Sequence, residues 1–169
     1  MKKGLLACLA AVACLAPGLA SGAPAHPVVT GGGTLLSAAE AKLTVNAIKN
    51  SGSKGWAGKI TYRREAQGAT SELSVFADVQ CAAVSTDGTR AVATGPIREK
   101  SDPNNVVPDG SWALVTVRDV TDGPGDQVRV RFVNAATAQA DCANGADDDN
   151  VTPGMIIAGN FQVRPAPTP

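Results

Sequence analysis

The chain has 169 residues, a length typical of one domain, and its 15 basic and 15 acidic side chains cancel at neutral pH. The basic residues are scattered along the chain. A nearly neutral chain without a clustered basic face is a poor candidate for nucleic-acid binding.

Residues 1–23 have the pattern of a secretory signal peptide. Two lysines open the segment, an apolar run from Leu5 to Leu15 follows, and small residues precede a cleavage site after Ala23. Cleavage after Ala20 or Ala25 fits the same pattern. The apolar run is shorter than the about 20 residues that cross a bilayer, so we expect no transmembrane segment in the mature chain.

Cys8 and Cys14 lie inside this segment and superficially match lipoprotein acylation sites. We do not expect lipidation, because the apolar stretch before Cys8 is too short and the Ala-rich sequence continues past Cys14. Cleavage after Ala23 leaves 146 residues with a net charge of −2, enough chain for a hydrophobic core. We expect this mature protein to be secreted or periplasmic.

Two cysteines remain in the mature chain, Cys81 and Cys142. An even cysteine count in an exported chain predicts a disulfide. Closing a loop of about 60 residues is expected to stabilise the fold by about 4 kcal/mol. A metal-binding pair is less favoured, because Cys-x-x-Cys spacing is missing and two thiols alone do not form a zinc site.

Strand patterns fill the chain from Val28 to Arg164, after a short linker at 24–27. Apolar residues alternate with polar ones in most of them, which is typical of half-buried strands. The glycine triplet Gly31–Gly33 predicts a bulge or a close backbone approach, and Asp87-Gly88 predicts a hairpin turn. The predicted strands are Val28–Leu36, Lys42–Asn50, Trp56–Arg63, Glu72–Val84, Arg90–Ile97, Trp112–Asp119, Gln127–Asn134 and Gly154–Arg164.

Helix signals are nearly absent. Ser37–Glu40 has the spacing of a capping box and allows one helical turn. Glu99–Gly110 is predicted to be a polar loop, Ala135–Pro153 a small, polar and acidic segment, and the Pro-rich tail at 165–169 to be disordered. About eight short strands joined mainly by tight turns predict an all-β, antiparallel barrel or sandwich, and periodicity does not choose between the two.

Five motifs in a fixed order resemble a widespread family of uncharacterised secreted bacterial β-domains. That family has a V-T-G-G-G opening, a G-x-I-x-Y strand, a V-x-D…G-x-x-D hairpin and a closing G-N-[FI]-x-V strand. The resemblance covers Val28 to Arg164 and implies an all-β fold, an exported location and no catalytic residues. This chain departs from the pattern by its two cysteines and by an acidic insertion around Asp147. The matching segments are Val29–Gly33, Gly58–Tyr62, Val117–Asp119, Gly125–Val130 and Gly159–Val163.

Few residues have the types and spacing that chemistry requires. The only histidine, His26, precedes the first strand, where a general base is not held in place, so we expect no Ser-His-Asp catalysis. Asp119, Asp122 and Asp126 lie in one Gly-containing turn and supply the hard oxygen ligands that Ca²⁺ prefers. The alternative, which we favour, is that these carboxylates accept hydrogen bonds from turn amides.

The sequence therefore predicts a non-catalytic exported β-domain with a structural, binding or envelope-associated role. Ca²⁺ is the one cofactor considered, and no ligand or partner is predicted. One alternative is a small-molecule carrier with an apolar barrel interior, and another is a hydrolase that uses clustered carboxylates. Phe76 and Trp112 depart from the apolar strand faces and are candidates for a binding surface. Arg63-Arg64 is interpreted as the solvated end of a strand.

Overall fold

The computed structural model describes residues 26–35, 40–50, 55–120, 125–146 and 154–165. The predicted signal peptide, most of the predicted helical turn and tail, Asp122 and the acidic stretch at Asp147 lie outside these ranges. No helix within the described ranges is long and apolar enough to cross a membrane.

Nine antiparallel strands form one sheet, so the all-β prediction is confirmed. The spatial order of the strands is β4-β3-β2-β1-β9-β8-β7-β6-β5. The strands are β1 (Val28–Leu35), β2 (Ala41–Lys49), β3 (Trp56–Arg64), β4 (Leu73–Asp78), β5 (Cys81–Val84), β6 (Arg90–Ser101), β7 (Trp112–Arg118), β8 (Gln127–Val133) and β9 (Gly154–Arg164).

The sheet curls into a half-open barrel. Strand β4 pairs with the second half of β6, which brings the two ends of the sheet together. On the other side, two residue pairs, Gln127 with Met155 and Val128 with Gly154, join β8 to β9 in the described part of the chain. All nine strands belong to one sheet, so the protein is a curled single sheet and not a sandwich of two, and one hydrophobic core contains residues of every strand.

Strand β2 shows why the alternating pattern predicted the sheet correctly. Its apolar residues at 41, 43, 45 and 47 are buried and the residues between them are exposed. Successive side chains of a strand point to opposite faces, so one face lies on the core and the other in water. Burial of the apolar face contributes about 25 cal/mol for each Å² removed from water.

The predicted strand Glu72–Val84 is two strands, β4 and β5, which separate at Val79-Gln80. Both pair with the 12-residue β6, β5 with its first half and β4 with its second. Strand β6 continues to Ser101, so the prediction of a loop from Glu99 onward is wrong for its first three residues. Pairing with β4 holds these residues in extended form although they are polar.

A helix, α1 (Ala135–Ala143), replaces part of the segment expected to be irregular. The Asn134 side chain caps it by accepting a hydrogen bond from the backbone N–H of Thr137 at 2.8 Å. Alanine has the highest helix propensity, and the helix buries just Ala138 and Cys142. The amphipathic period that marks most surface helices is therefore nearly missing from its sequence.

The predicted disulfide between Cys81 and Cys142 is confirmed, with Cα atoms 6.3 Å apart. It ties α1 to the outer face of β5, where Val92 and Leu114 form a second apolar cluster with Cys142. This contact explains why β6 buries five consecutive residues, from Ala91 to Gly95, whereas β2 alternates. One face of that stretch packs in the barrel and the other packs under the helix.

Two glycines allow strands to approach more closely than side chains permit. A Cβ on Gly31, whose φ is +146°, would lie 2.3 Å from the carbonyl oxygen of Asn160 on β9. A Cβ on Gly58, whose φ is +144°, would lie 1.7 Å from the carbonyl oxygen of Asn46 on β2. The close backbone approach predicted for the triplet at Gly31 is thus confirmed, and Gly58 makes a second one.

Replacing Gly58 with alanine tests this constraint. We expect Gly58→Ala to lower the free energy of unfolding by about 3 kcal/mol or more, because the new Cβ overlaps β2 and positive φ is strained for alanine. Gly55→Ala is the control, since Gly55 has a φ of +70° but open space around its Cα; its cost should be about 1 kcal/mol. Equal urea midpoints for the two variants would contradict the proposed overlap.

Candidate binding cleft

His26 and the predicted calcium ligands have different surroundings in the structure. His26 precedes β1 and makes no hydrogen bond or ion pair with another described residue. Asp119 and Asp126 flank the turn between β7 and β8 and both point their carboxylates at β9. Asp126 accepts hydrogen bonds from the backbone N–H of Phe161 at 2.6 Å and of Val120 at 3.1 Å.

Asp119 also accepts a backbone N–H of β9, two residues further along the strand. It accepts a hydrogen bond from the backbone N–H of Val163 at 3.2 Å. In the described residues β8 pairs with β9 at two positions, and these carboxylates accept N–H groups of β9 beyond that short ladder. Of these three amides only that of Val120 lies in the turn, so the interpretation of the aspartates as acceptors for turn amides fits one hydrogen bond of Asp126, and the other two hydrogen bonds reach β9.

The calcium hypothesis stays a prediction, since Asp122 lies outside the described residues. Among the residues that are described, no three His, Cys, Asp or Glu side chains gather closely enough to hold a metal ion. Asp126 is fully buried, with each carboxylate oxygen accepting a backbone N–H.

We expect Asp126→Ala to lower the free energy of unfolding by about 3 kcal/mol, because hydrogen bonds to a charged acceptor contribute about 1.5–3 kcal/mol each. Asp126→Asn keeps one acceptor oxygen and should lose less. Asp109→Ala, which removes an exposed ion pair with Lys100, is the control and should cost under about 1 kcal/mol. Urea unfolding measures all three, and an Asp126→Ala variant as stable as Asp109→Ala would refute the role of Asp126.

The hairpin turn predicted at Asp87-Gly88 is present between β5 and β6. One carboxylate oxygen of Asp87 accepts hydrogen bonds from the Ser85 hydroxyl at 2.6 Å and the Thr89 N–H at 2.9 Å, and the other accepts from the Thr89 hydroxyl at 2.8 Å. The hydrogen bond from Ser85, followed by those from Thr89, lowers the pKa of Asp87 to about 2. Only the ionised carboxylate satisfies this turn fully.

This lowered pKa makes the contribution of Asp87 to stability depend on pH. The folded pKa is about 2 and the unfolded value about 3.9, so the stabilisation is complete above pH 4 and is lost as pH falls toward 2. We expect wild type to melt above Asp87→Asn at pH 7 and the difference to vanish near pH 2. Circular dichroism melts at four pH values measure this, and a pH-independent difference would argue against it.

A cleft of about 260 Å³ opens at one end of the barrel, beside the strand ends of β2, β3 and β4. A hairpin joining β3 to β4 bounds it, held by two backbone hydrogen bonds between Gln67 and Thr70 at 2.9 and 3.0 Å. The residues that line the cleft are Glu40, Lys42, Arg63, Arg64, Glu65, Ala66, Glu72 and Ser74. Six of these eight side chains are charged, three of each sign.

The sheet register arranges the charges of the cleft in two parallel rows. Lys42 on β2 is directly opposite Arg63 on β3, and Arg63 is opposite Ser74 on β4. This is the cationic row. One residue nearer the strand ends, the N–H of Glu65 donates to the carbonyl of Glu40 at 3.4 Å, which keeps these two residues side by side.

Extending the β3–β4 register beyond its last pair, Arg64 with Leu73, places Glu72 on the other side of Glu65. Glu40, Glu65 and Glu72 thus form an acidic row next to the cationic row. Like charges directly opposite each other on neighbouring strands are destabilising. No Lys or Arg nitrogen of the cleft comes within 4.0 Å of a carboxylate in the ranges described, so the two rows do not neutralise each other.

Each of the two arginines of the cleft contacts an aromatic side chain, and Arg64 also interacts electrostatically with Asp102. The Arg63 guanidinium lies 5.3 Å from the ring centroid of Phe76, a cation–π contact on the outer face of the sheet. Arg64 donates to the carbonyl of Ser71 at 3.3 Å and also contacts Tyr62. Burial raises the pKa of Tyr62 above its usual value of 10, and the charge and hydrogen bond of Arg64 offset part of this rise.

Apolar side chains of all nine strands pack in the interior of the barrel. Phe161, Leu43 and Ile60 are among the described side chains that are fully buried there. The rings of Tyr62 and Phe132 meet edge to face, with centroids 5.7 Å apart at an angle of 76°.

The loop after β6 covers the end of the barrel next to the cleft. Val107 in this loop is completely buried, its N–H donates to an Asp102 carboxylate oxygen at 2.6 Å, and its carbonyl accepts from Lys100.

The sequence pointed separately to Phe76 and to the Arg63-Arg64 pair, but it did not show that they lie in one cleft. Phe76, proposed as part of a binding surface, is half-buried on the outer face and orients Arg63; Trp112, the other candidate, is half-buried on β7, away from the cleft. Arg63 and Arg64 lie at the end of β3, as the interpretation of a solvated strand end predicts, with Arg63 exposed and Arg64 half-buried, and both also line the cleft. The three glutamates were missed, because only strand register shows that they are neighbours.

Comparison of the chain with protein-family models, with curated proteins and with solved structures returns no match. The resemblance to secreted bacterial β-domains therefore stays a prediction.

Proposed function

We propose that the chain is an exported, non-catalytic binding domain that takes its ligand on the outside of the sheet. The observation that carries this proposal is the contrast between a barrel interior filled with packed side chains and an outer cleft lined by six charges that do not pair with one another. Polar groups held near one another without mutual partners are suited to contacts with a ligand.

An extracytoplasmic location is supported by two independent features. Residues 1–23 have the composition and order of a signal peptide. The Cys81–Cys142 disulfide suits an oxidising compartment, since thiols stay reduced in most cytosols. We therefore place the mature domain in the periplasm, at the cell envelope or outside the cell.

The packed interior favours a binding domain over a carrier. A carrier of an apolar ligand requires an internal cavity of several hundred Å³, whereas Phe161, Leu43 and Ile60 occupy the centre of this barrel. A hydrolase that uses clustered carboxylates requires an acid and a base held in a cleft. The glutamates of the cleft lie in one row across the ends of β2, β3 and β4, which suits binding of a cationic group better than attack from two sides of a bond.

An uncharged apolar fluorophore, N-phenyl-1-naphthylamine, distinguishes the binding domain from the carrier. The processed wild-type protein should give no saturable fluorescence rise at micromolar dye, because a filled interior has no room for it. Leu43→Ala is the control, since an apolar cavity left by a large-to-small substitution stays dry and binds small apolar molecules; Phe132→Ala replaces it if that variant does not fold. Stoichiometric dye binding to wild type would overturn the proposal in favour of the carrier.

A further inference from the structure

The cleft beside β2, β3 and β4 combines three features that point to one class of ligand. It is a concave site of about 260 Å³, smaller than the about 300–1,000 Å³ of pockets for drug-sized ligands. It holds charges of both signs, and these charges are segregated into a cationic and an acidic row. A small ligand that carries one positive and one negative group satisfies both rows at once.

The fold itself creates an unfavourable arrangement here that a ligand would relieve. Lys42 and Arg63 are direct cross-strand neighbours with the same charge, and so are Glu40 and Glu65. Exchanging the residues at 63 and 65 would make each of these pairs attractive. The oppositely charged row, two residues away, offsets part of this repulsion, and local conflicts with a simple rule of stability are expected at functional sites.

The spacing of the rows sets the length of the ligand. The rows are two residues apart along each strand, so about 6.6–6.8 Å separates their backbone positions. A free α-amino acid holds its ammonium nitrogen and carboxylate carbon only about 2.5 Å apart, whereas two extended residues span up to about 7 Å. A dipeptide with free ends therefore matches the backbone distance between the rows, and the long side chains of Lys42, Arg63 and Glu65 reach toward its two ends.

We propose that this cleft binds short peptides, of about two residues, by their free termini; this inference rests on the proposed function. The peptide carboxylate lies on the cationic row, where Arg63, oriented by its contact with Phe76, and Lys42 donate hydrogen bonds to it. The peptide ammonium lies on the acidic row, between Glu65 and its neighbours. Both ends are charged in the bound peptide, and no proton transfer or bond change accompanies binding.

Calorimetry or NMR titration with alanyl-alanine tests this assignment on the mature, oxidised protein. We expect a Kd of about 0.1–1 mM, in keeping with a ligand of few atoms held by two partly exposed charged contacts. N-acetyl-alanyl-alanine lacks the ammonium, alanyl-alanine amide lacks the carboxylate, and each should bind about threefold to tenfold more weakly. Free alanine, too short to reach both rows, should also bind more weakly.

Two variants with charge-matched controls locate the site. Lys42→Gln and Glu65→Gln should each raise the Kd for alanyl-alanine about threefold to tenfold. Lys59→Gln on β3 and Glu99→Gln on β6 remove the same charges from exposed positions outside the cleft and should leave it unchanged. Lys42→Gln should also bind alanyl-alanine and its amide with more nearly equal affinity, which a merely structural role of Lys42 does not produce.

Several outcomes would overturn the assignment. These are no saturable binding of alanyl-alanine at concentrations ten times the expected Kd, equal binding of the peptide and its two blocked forms, or equal effects of the cleft variants and their controls. A melting temperature of each variant close to that of wild type shows that it is folded. The proposed binding domain is tested separately by the apolar fluorophore, so failure of dipeptide binding removes this ligand class and leaves the filled interior standing.

Discussion

Two carboxylates accept backbone N–H groups of β9 where its ladder with β8 is short, and the closure of the barrel depends on them. Between β8 and β9 the ladder has two residue pairs, which leaves the N–H groups of Phe161 and Val163 without backbone partners across the seam. Asp126 and Asp119 accept these N–H groups and so hold β9 against the turn that follows β7. A buried N–H without an acceptor costs about 1–3 kcal/mol, so these two aspartates stabilise the contact between β9 and the turn after β7.

The disulfide and α1 decide which part of the outer surface remains open. The helix covers the outside of β5, β6 and β7, where Val92 and Leu114 need a partner, and Cys142 fixes it there. The outer face of β2, β3 and β4 carries no such cover in the described chain and is built of polar residues around Phe76. One half of the sheet is therefore packed on both faces. The other half packs on its inner face and exposes the cleft on its outer face.

Local patterns predicted the strands well, and long-range relations were not predictable from them. The alternation in β2, the Asp87-Gly88 turn and the disulfide needed only neighbours in sequence or a cysteine count. The helix was missed because its alanines lack an amphipathic period, and the break between β4 and β5 was missed because both strands have the same periodicity. The choice of barrel over sandwich depends on pairing of β4 with β6, which no local pattern encodes. The cleft was half anticipated for a similar reason: its arginines are adjacent in sequence, but its glutamates meet only through register.

Some charges of this sheet form ion pairs, although Arg90 and Arg118 are also direct cross-strand neighbours of like charge on β6 and β7. Arg98 on β6 reaches Asp78 on β4 at 3.0 Å, and Arg131 on β8 reaches Asp141 on α1. Opposite charges therefore find one another elsewhere, even between exposed side chains for which an ion pair is worth about 0–1 kcal/mol. At the ends of β2, β3 and β4, residues of like charge lie opposite each other on neighbouring strands, and both rows are exposed to solvent. The packing below does not require charges at these exposed positions, and this supports the proposed ligand that carries both signs.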